Sequence, residues 1–425
     1  MGAANAALSG ARLMQRLDAL ARFSSEGPDR LTRLYLTPEH RAAASQLGTW
    51  MREAGLAVSM DAAGTLIGRL EGAAPDAPVL LLGSHIDTVR NAGKYDGALG
   101  VLVAIEAVGR LRASGKALAF AIEVLAFGDE EGVRFPMTLA GSRAMAGSFD
   151  PASLGCADAD GVSLREALKV FGCIPDGIKA IARDRRKTLA YVEVHIEQGP
   201  VLEEMGLALG IVTAISGASR LAFTVTGMAG HAGTVPMPLR RDAAMAAAQM
   251  LLAAERIAVA RKNIVATVGR FSLEPGAVNV IPGQASFTLD LRSPDDAARQ
   301  AALAEITAAF ADIARLRGVA VACKPFYDVA AAACDPALML MLESALTARG
   351  VAPFRLASGA GHDGLAMAAL CPFAMLFVRC KGGISHNPAE SVDGGDVALA
   401  TQVVQDVLAR FDPVAFRAAY GGPPA

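Results

Sequence analysis

LLLGSHIDTVRNAGKYDG, residues Leu80–Gly97, is the stretch whose reading decides the fold. Its apolar start, Val79–Leu82 with Ile86 beyond, predicts a strand, and Gly83 marks a close backbone approach. Side chains two apart on a strand face the same way, so His85 and Asp87 share one face. Asp96 then precedes Gly97 and an apolar-periodic run, where an N-cap or a loop ligand belongs. A histidine, a carboxylate that can orient it and a second carboxylate suit a metal centre. They also suit a polar turn that merely caps a helix, and this stretch alone leaves both readings open.

Working outward, Val101, Ile105, Val108 and Leu111 fall at helical spacing, and Gly115 sits in the C-cap region. AFAIEVLAF at 119–127 reads as the next strand. Strand, helix, strand in this order predicts an α/β domain with a mostly parallel sheet flanked by helices, its ligand residues at the carboxyl ends of the strands. GDEEGVRFP follows Phe127 as a polar loop at such an end. YVEVHIEQG at 191–199 alternates Val192, Val194 and Ile196 with Glu193, His195 and Glu197, a strand that carries a histidine toward a polar face. Upstream, residues 1–23 read as an amphipathic helix rather than a signal peptide. Residues 39–55 read as a second helix and 58–70 as two short strands around a turn at Ala62–Gly64.

From about residue 213 the pattern changes. Strands are expected at Leu221–Thr226, Ile264–Phe271, Ala285–Leu291 and Val319–Phe326, with helices at Arg241–Arg261 and Pro294–Arg317. This β-α-β-β-α-β order predicts a ferredoxin-like α+β domain over 213–328, inserted into a catalytic domain of 1–212 and 329–425. The latter is expected to close with helices at 336–349 and 394–411 and a strand, Phe373–Val378, leading to KGGISHNPAE.

The composition narrows the function. Lys+Arg of 40 against Asp+Glu of 42 leaves a net charge of -2, so nothing global favours nucleic acid or an anionic membrane surface, and a small-molecule partner is expected. No continuously apolar run reaches the ~18 residues of a membrane span. A cytoplasmic protein is therefore expected. Cys156, Cys173, Cys323, Cys334, Cys371 and Cys380 show no C-x-x-C spacing and are expected as small core residues. The basic stretch Lys179–Lys187 is read as solvated surface.

Of six histidines, all but His40 stand in Gly-rich or strand-end settings: His85, His195, His231, His362 and His386. Glu130 and Glu131 are adjacent, and neighbouring side chains in an extended loop diverge. One can bind a metal while the other takes a proton from water. An exposed acidic turn is the other reading of the same residues.

SHIDTVRNAGKYDG, FGDEEGVRF, VEVHIEQGPVLE, GHAGTVPM, NVIPG, LDLR, SGAGHDG and GISHNPAE together resemble the binuclear metal amidohydrolases. That family includes N-carbamoyl-L-amino-acid hydrolases, allantoate amidohydrolases and β-ureidopropionase, and is related to zinc aminoacylases and glutamate carboxypeptidases. The resemblance spans about residues 30 to 410. It implies two divalent metal ions per subunit, zinc first, with manganese, cobalt or nickel admissible. By similarity His85, Asp96 and His195 hold one ion and Asp96, Glu131 and His386 the other. Asp87 orients the ligands and Glu130 is the base. His195 is similar to the carbamoylase and allantoate branch, whereas peptidase relatives carry an acid there.

The resemblance further implies that the inserted domain forms a homodimer and acts as a lid. His231 would steady the oxyanion in the partner's site. Asn279 and Arg292 would bind the amide and carboxylate of a small ureido or N-carbamoyl carboxylate substrate, Arg292 through its planar fork. A surface salt bridge is the alternative for Arg292. Gln198, Gly361 and His362 would line the pocket, His362 equally well structuring its loop. Val235, Gly364 and Arg379 depart from the commoner pattern without touching a ligand. The implied reaction is hydrolysis of the ureido C–N bond. The alternatives are an aminoacylase or dipeptidase using the same ions, and a non-enzymatic binding protein, which would need a broken ligand set.

Overall fold

The computed structural model describes residues 3–27 and 30–420. Residues 1 and 2 of the expected N-terminal helix and 421–425 of the expected catalytic span lie outside the described residues. The chain forms two compact units, Met1–Thr213 with Cys334–Leu356 and Ala360–Ala425, and Ala214–Ala333 with Ala357–Gly359.

The first unit begins with α1 (Ala3–Ala21), which buries Leu13, Leu17 and Leu20, and α2 (Pro38–Glu53), whose N-cap Thr37 accepts from the His40 amide. The hairpin of β1 (Ala57–Met60) and β2 (Leu66–Leu70) turns on the Asp61 carboxylate, which accepts from Ala63 N and Thr65 N. Then come β3 (Val79–His85), α3 (Ala98–Ala113), β4 (Ala121–Phe127), α4 (Ala140–Met145), α5 (Leu164–Val170), β5 (Thr188–Ile196), α6 (Val201–Glu204) and β6 (Leu209–Ile215). The strands β3, β4 and β5 are buried along their whole length, as parallel strands covered on both faces must be. The α3 helix is buried on every side from Ala98 to Val108, broader than the one-sided pattern expected, because it lies among the sheet, α1 and the helix Gly394–Arg410. Each such Leu or Val contributes about 1.5–3 kcal/mol by leaving water. Arg183 corrects the reading of 179–187 as solvated: it reaches the buried Glu123 at 2.7 Å, with Arg69 at 2.8 Å on the other carboxylate oxygen.

The second unit contains β7 (Gly217–Thr226), β8 (Gly230–His231), α7 (Ala243–Val259), β9 (Val265–Thr267), β10 (Phe271–Glu274), β11 (Val280–Ile281), β12 (Gln284–Ser293), α8 (Asp296–Arg317) and β13 (Ala320–Val329). Its sheet runs β10-β12-β7-β13, all antiparallel, with β9 also on β12, which is the split βαβ plan. The single strand expected over 264–271 is two: it breaks at Val268–Arg270 and pairs β12 at separate places. Leu221, Phe223, Phe287 and Phe310 fill the space beneath α7 and α8, and Phe223 stacks on Phe287 at 5.2 Å. Alternate residues of β12 stay partly exposed, so the sheet's other face is open and polar. Cys323 on β13 is exposed, against the expectation of six core cysteines, while Cys334, Cys371 and Cys380 are buried.

After the insertion come β14 (Ala332–Ala333), α9 (Pro336–Thr347), β15 (Arg355–Ser358), α10 (Asp363–Met367), β16 (Phe373–Val378), α11 (Gly394–Arg410) and α12 (Pro413–Tyr420). The large sheet has the order β1-β2-β4-β3-β5-β16-β6. Its centre, β4-β3-β5-β16, is parallel and its flanks are antiparallel. Among the described residues no helix is long and apolar enough to cross a membrane.

Candidate metal centre

The four parallel strands deliver their next residues to one edge. His85 ends β3 level with Phe127 of β4, and His195 on β5 is level with Phe377 of β16. The loops that follow carry Asp96, Glu130, Glu131 and His386. Such an edge, outside the carboxyl ends of parallel strands, is where α/β sheets collect ligands.

Both strand histidines are oriented by main-chain oxygens. His85 Nδ1 lies 3.0 Å from the Asp87 carbonyl and His195 Nδ1 2.9 Å from that of Ile196. A carbonyl only accepts, so each Nδ1 carries the proton and each Nε2 is left for a cation. The two Nε2 atoms stand 3.4 Å apart. Asp96 Oδ1 lies 3.1 Å from that of His195 and 3.7 Å from that of His85. Asp96 Oδ2 is 3.2 Å from His386 Nε2, which is 3.7 Å from Glu131 Oε1. Asp96 thus belongs to two groups, His85–Asp96–His195 and Asp96–Glu131–His386, whose donor atoms lie within 4.8 Å of one another. Among the described residues, buried Glu131 Oε1 has no hydrogen-bond donor, as a cation ligand should. Gly97 is needed for this arrangement: its φ is 62°, and a Cβ there would come within 2.5 Å of the His85 ring.

The electrostatics show a site short of positive charge. Burial, then neighbouring carboxylates, push Glu130 and Glu131 well above the usual carboxylate range. Burial also opposes ionisation of Asp96, but hydrogen bonds with His195 and His386 outweigh it and hold Asp96 well below that range. Burial disfavours a charged His195, yet Asp96 carries it up to about 9, so a proton occupies the place a cation would take. Mixed imidazole and carboxylate donors in two groups sharing one carboxylate fit two divalent ions.

Asp87 acts through both its backbone and its side chain. Its carbonyl fixes His85, while its carboxylate accepts from Glu130 N and Glu131 N, each at 3.2 Å, and so sets the loop that presents both acids. Glu130 Oε2 lies 3.9 Å from His85 Nε2. A Cβ at Gly361 would be 3.7 Å from Glu130 Oε1, so this loop passes close to the acid. Gln198 Nε2 lies 3.2 Å from Asp96 Oδ2 and 3.1 Å from Ser385 Oγ, its backbone in the left-handed region at φ 58°. His362 is fully buried, edge-on to His195 at 4.4 Å and against Phe377, and burial keeps it well below the ordinary histidine range. Arg379 turns to Asp396 at 2.8 Å.

His231, Asn279 and Arg292 belong to the second unit. His231 and Asn279 are exposed on the two-stranded ribbon of β8 and β11, where Ala232 N donates to Asn279 O. Arg292 lines a cavity of about 450 Å³ in that unit with Arg220, Asp290, Val265 and Phe326. It gives Asp290 a two-pronged hydrogen bond, 2.8 and 2.9 Å, and a third to Gly359 O, while Arg220 shares the same carboxylate. Sequence reasoning missed Asp290 and Arg220. Asp290 stands two residues before Arg292 on a strand, so period two would have placed it on the same face. Glu390 and Ser385, inside the quoted GISHNPAE, also went unassigned.

Residues 81–410 match the model of peptidase family M20/M25/M40. The chain belongs to this family. Within it, the N-carbamoyl-L-amino acid amidohydrolase of Geobacillus stearothermophilus is 45% identical, over 93% of this chain and 97% of its own. The allantoate deiminase of Arabidopsis thaliana is 40% identical, over 90% and 79%. The crystal structure of a hydantoinase/carbamoylase family amidase from Burkholderia multivorans superposes with a TM-score of 0.89 at 33% identity, covering 94% of this chain and 97% of that one.

Proposed function

We propose that this chain is a homodimeric, binuclear metal hydrolase that cleaves the ureido (carbamoyl) C–N bond of a small carboxylate, an N-carbamoyl-L-amino acid or allantoate. The observation that carries it is Asp96, one carboxylate facing two ligand groups, with Glu130 beside them. The names of the M20/M25/M40 relatives set the bond type.

His85, Asp96 and His195 would hold one ion and Asp96, Glu131 and His386 the other, zinc by preference, with manganese, cobalt or nickel admissible. Bound there, the ions would polarise the ureido carbonyl and acidify water. Glu130 takes the proton of the attacking water and delivers it to the departing nitrogen. Its carboxyl is suited to this because burial and neighbouring acids raise its proton affinity. Consuming one water per ureido group, an N-carbamoyl amino acid yields the amino acid, ammonia and carbon dioxide. Arg292 takes the substrate carboxylate, Asn279 the amide, and His231 the developing oxyanion. Gln198 and the Gly361 loop line the pocket.

The dimer is supported by the length of β12. Gln284, where the His231–Asn279 ribbon joins, and Arg292 stand eight residues apart on one strand, about 27 Å. A small substrate does not reach along that length of strand, which supports a reading in which His231 and Arg292 of two copies act on one molecule. Met228, Met237, Leu239 and Val278 around the ribbon are exposed, as a surface awaiting a second copy would be.

The test is ammonia release from N-carbamoyl-L-amino acids, allantoate and N-carbamoyl-β-alanine with Zn²⁺ or Mn²⁺. Hydrolysis of N-acetyl amino acids or dipeptides with no ureido substrate turned over would replace this reading with an aminoacylase.

A further inference from the structure

We propose that Glu390 is the positioning residue of the bridging carboxylate, clamping the Asp96 loop and the His386 loop into one unit. The inference rests on reading Asp96 as shared by two metal ions. Glu390 is only 3% exposed, and its hydrogen-bond partners among the described residues are two backbone amides and a hydroxyl. One carboxylate oxygen, Oε1, accepts from Tyr95 N at 2.8 Å and Asp96 N at 3.1 Å. The other, Oε2, accepts from Ser385 Oγ at 2.9 Å, the residue before His386. Gln198 closes the ring, its amide lying 3.2 Å from the Asp96 carboxylate and 3.1 Å from Ser385 Oγ. A single buried carboxylate therefore joins two loops almost three hundred residues apart in sequence.

The two halves of the site need this clamp unequally. His85 and His195 are carried by strands of the sheet and are 1% exposed, so packing fixes them. The side chain of His386 is 50% exposed and its φ is 53°, so burial does not fix it. Ordering a loop residue costs conformational entropy. Without Glu390 that cost falls on metal binding, and on the Asp96–Glu131–His386 ion far more than on the strand-held one. Gly93 adds an independent sign: a Cβ there would lie 2.3 Å from the Glu390 carboxylate and 2.4 Å from its Cβ, so the loop is fitted around this side chain.

The experiment strips the full-length protein of metal with a chelator and titrates it calorimetrically with Zn²⁺ and with Mn²⁺, no substrate present, counting bound metal after desalting. Wild type should take up two ions per chain. Glu390→Gln should keep one affinity and weaken the other by about 10- to 100-fold, the usual effect of removing a ligand's hydrogen-bond partner. Ser385→Ala, which cuts the link between the loops together with the bond from Gln198, and Gly93→Ala, which displaces Glu390 without replacing it, should weaken the same ion and carry the test if Glu390→Gln fails to fold. Two ions bound by these variants with wild-type affinity would overturn the clamp. So would an equal loss at both sites that tracks a lower Tm of the metal-free protein, since that is what a merely structural carboxylate would give. Fewer than two ions in wild type would remove the two-metal reading, and the clamp with it.

Discussion

The Nε2 atoms of His85 and His195 stand 3.4 Å apart with Asp96 Oδ1 3.1 Å from the second. With both Nδ1 protons committed to carbonyls, three lone pairs point into one small volume, and only a shared positive charge stabilises that. Removing metal should therefore abolish hydrolysis and lower Tm, and Zn²⁺ or Mn²⁺ should restore both. At a free metal concentration of about 100 Kd the gain is about 2.7 kcal/mol. Thermal melts with and without chelator decide it; a Tm indifferent to metal would argue against the site.

Glu130 lies beside the ligands without being assigned to either ion. Glu130→Gln keeps the shape and removes the base, so kcat should fall by about 10²–10⁴-fold while metal content stays that of wild type. Near-full activity would exclude Glu130 as the proton carrier.

Arg292 is already held by Asp290 and Gly359, which fixes its fork before substrate arrives. Arg292→Ala should raise KM for carboxylate substrates by about 10- to 100-fold, the worth of charge-assisted hydrogen bonds of ~1.5–3 kcal/mol, with a smaller effect on kcat. Asp290→Asn should raise KM in the same direction by loosening the fork. An unchanged KM in Arg292→Ala would take it out of carboxylate binding.

If His231 serves the partner's site, two inactive variants should complement. Co-expressed His231→Ala and Glu130→Gln chains that pair at random should regain roughly a quarter of wild-type activity, because each mixed dimer assembles one intact site. No recovery in mixed dimers isolated by two affinity tags would confine His231 to its own chain.

His40 offers a pH prediction away from the site. It is fully buried between Tyr35 and Phe171, its Nδ1 accepting from Leu36 N, and burial, then Arg33 and Arg134, lowers it from 6.5 to about 3. Unfolding lets it take up a proton, so its contribution is whole above pH 6.5 and is lost as pH falls from there toward 3. That loss is on the order of a few kcal/mol. His40→Gln should flatten this acid limb in urea melts taken across pH 4–7; an unchanged slope would mean another group governs it.

Period two and strand-to-loop grammar were enough to place His85, His195 and Phe373–Val378, because parallel strands buried on both faces leave a plain apolar signature in the chain. The ferredoxin-like order of the insertion was legible for the same reason, apart from the break at Val268–Arg270, where pairing with β12 rather than local pattern set the strand ends. Which of Asp87 and Asp96 faces both ligand groups and which holds the acid loop was not readable from Leu80–Gly97 alone. That depends on where residues hundreds of positions away arrive: Glu130 and Glu131 amides on one carboxylate, His195 and His386 imidazoles on the other. The sequence by itself determined the strands, the residue types and the family. Only the tertiary structure decided the partnerships, Glu390 with the Asp96 loop and Asp290 with Arg292 among them, because a hydrogen bond is set by distance in space and leaves no period in the chain.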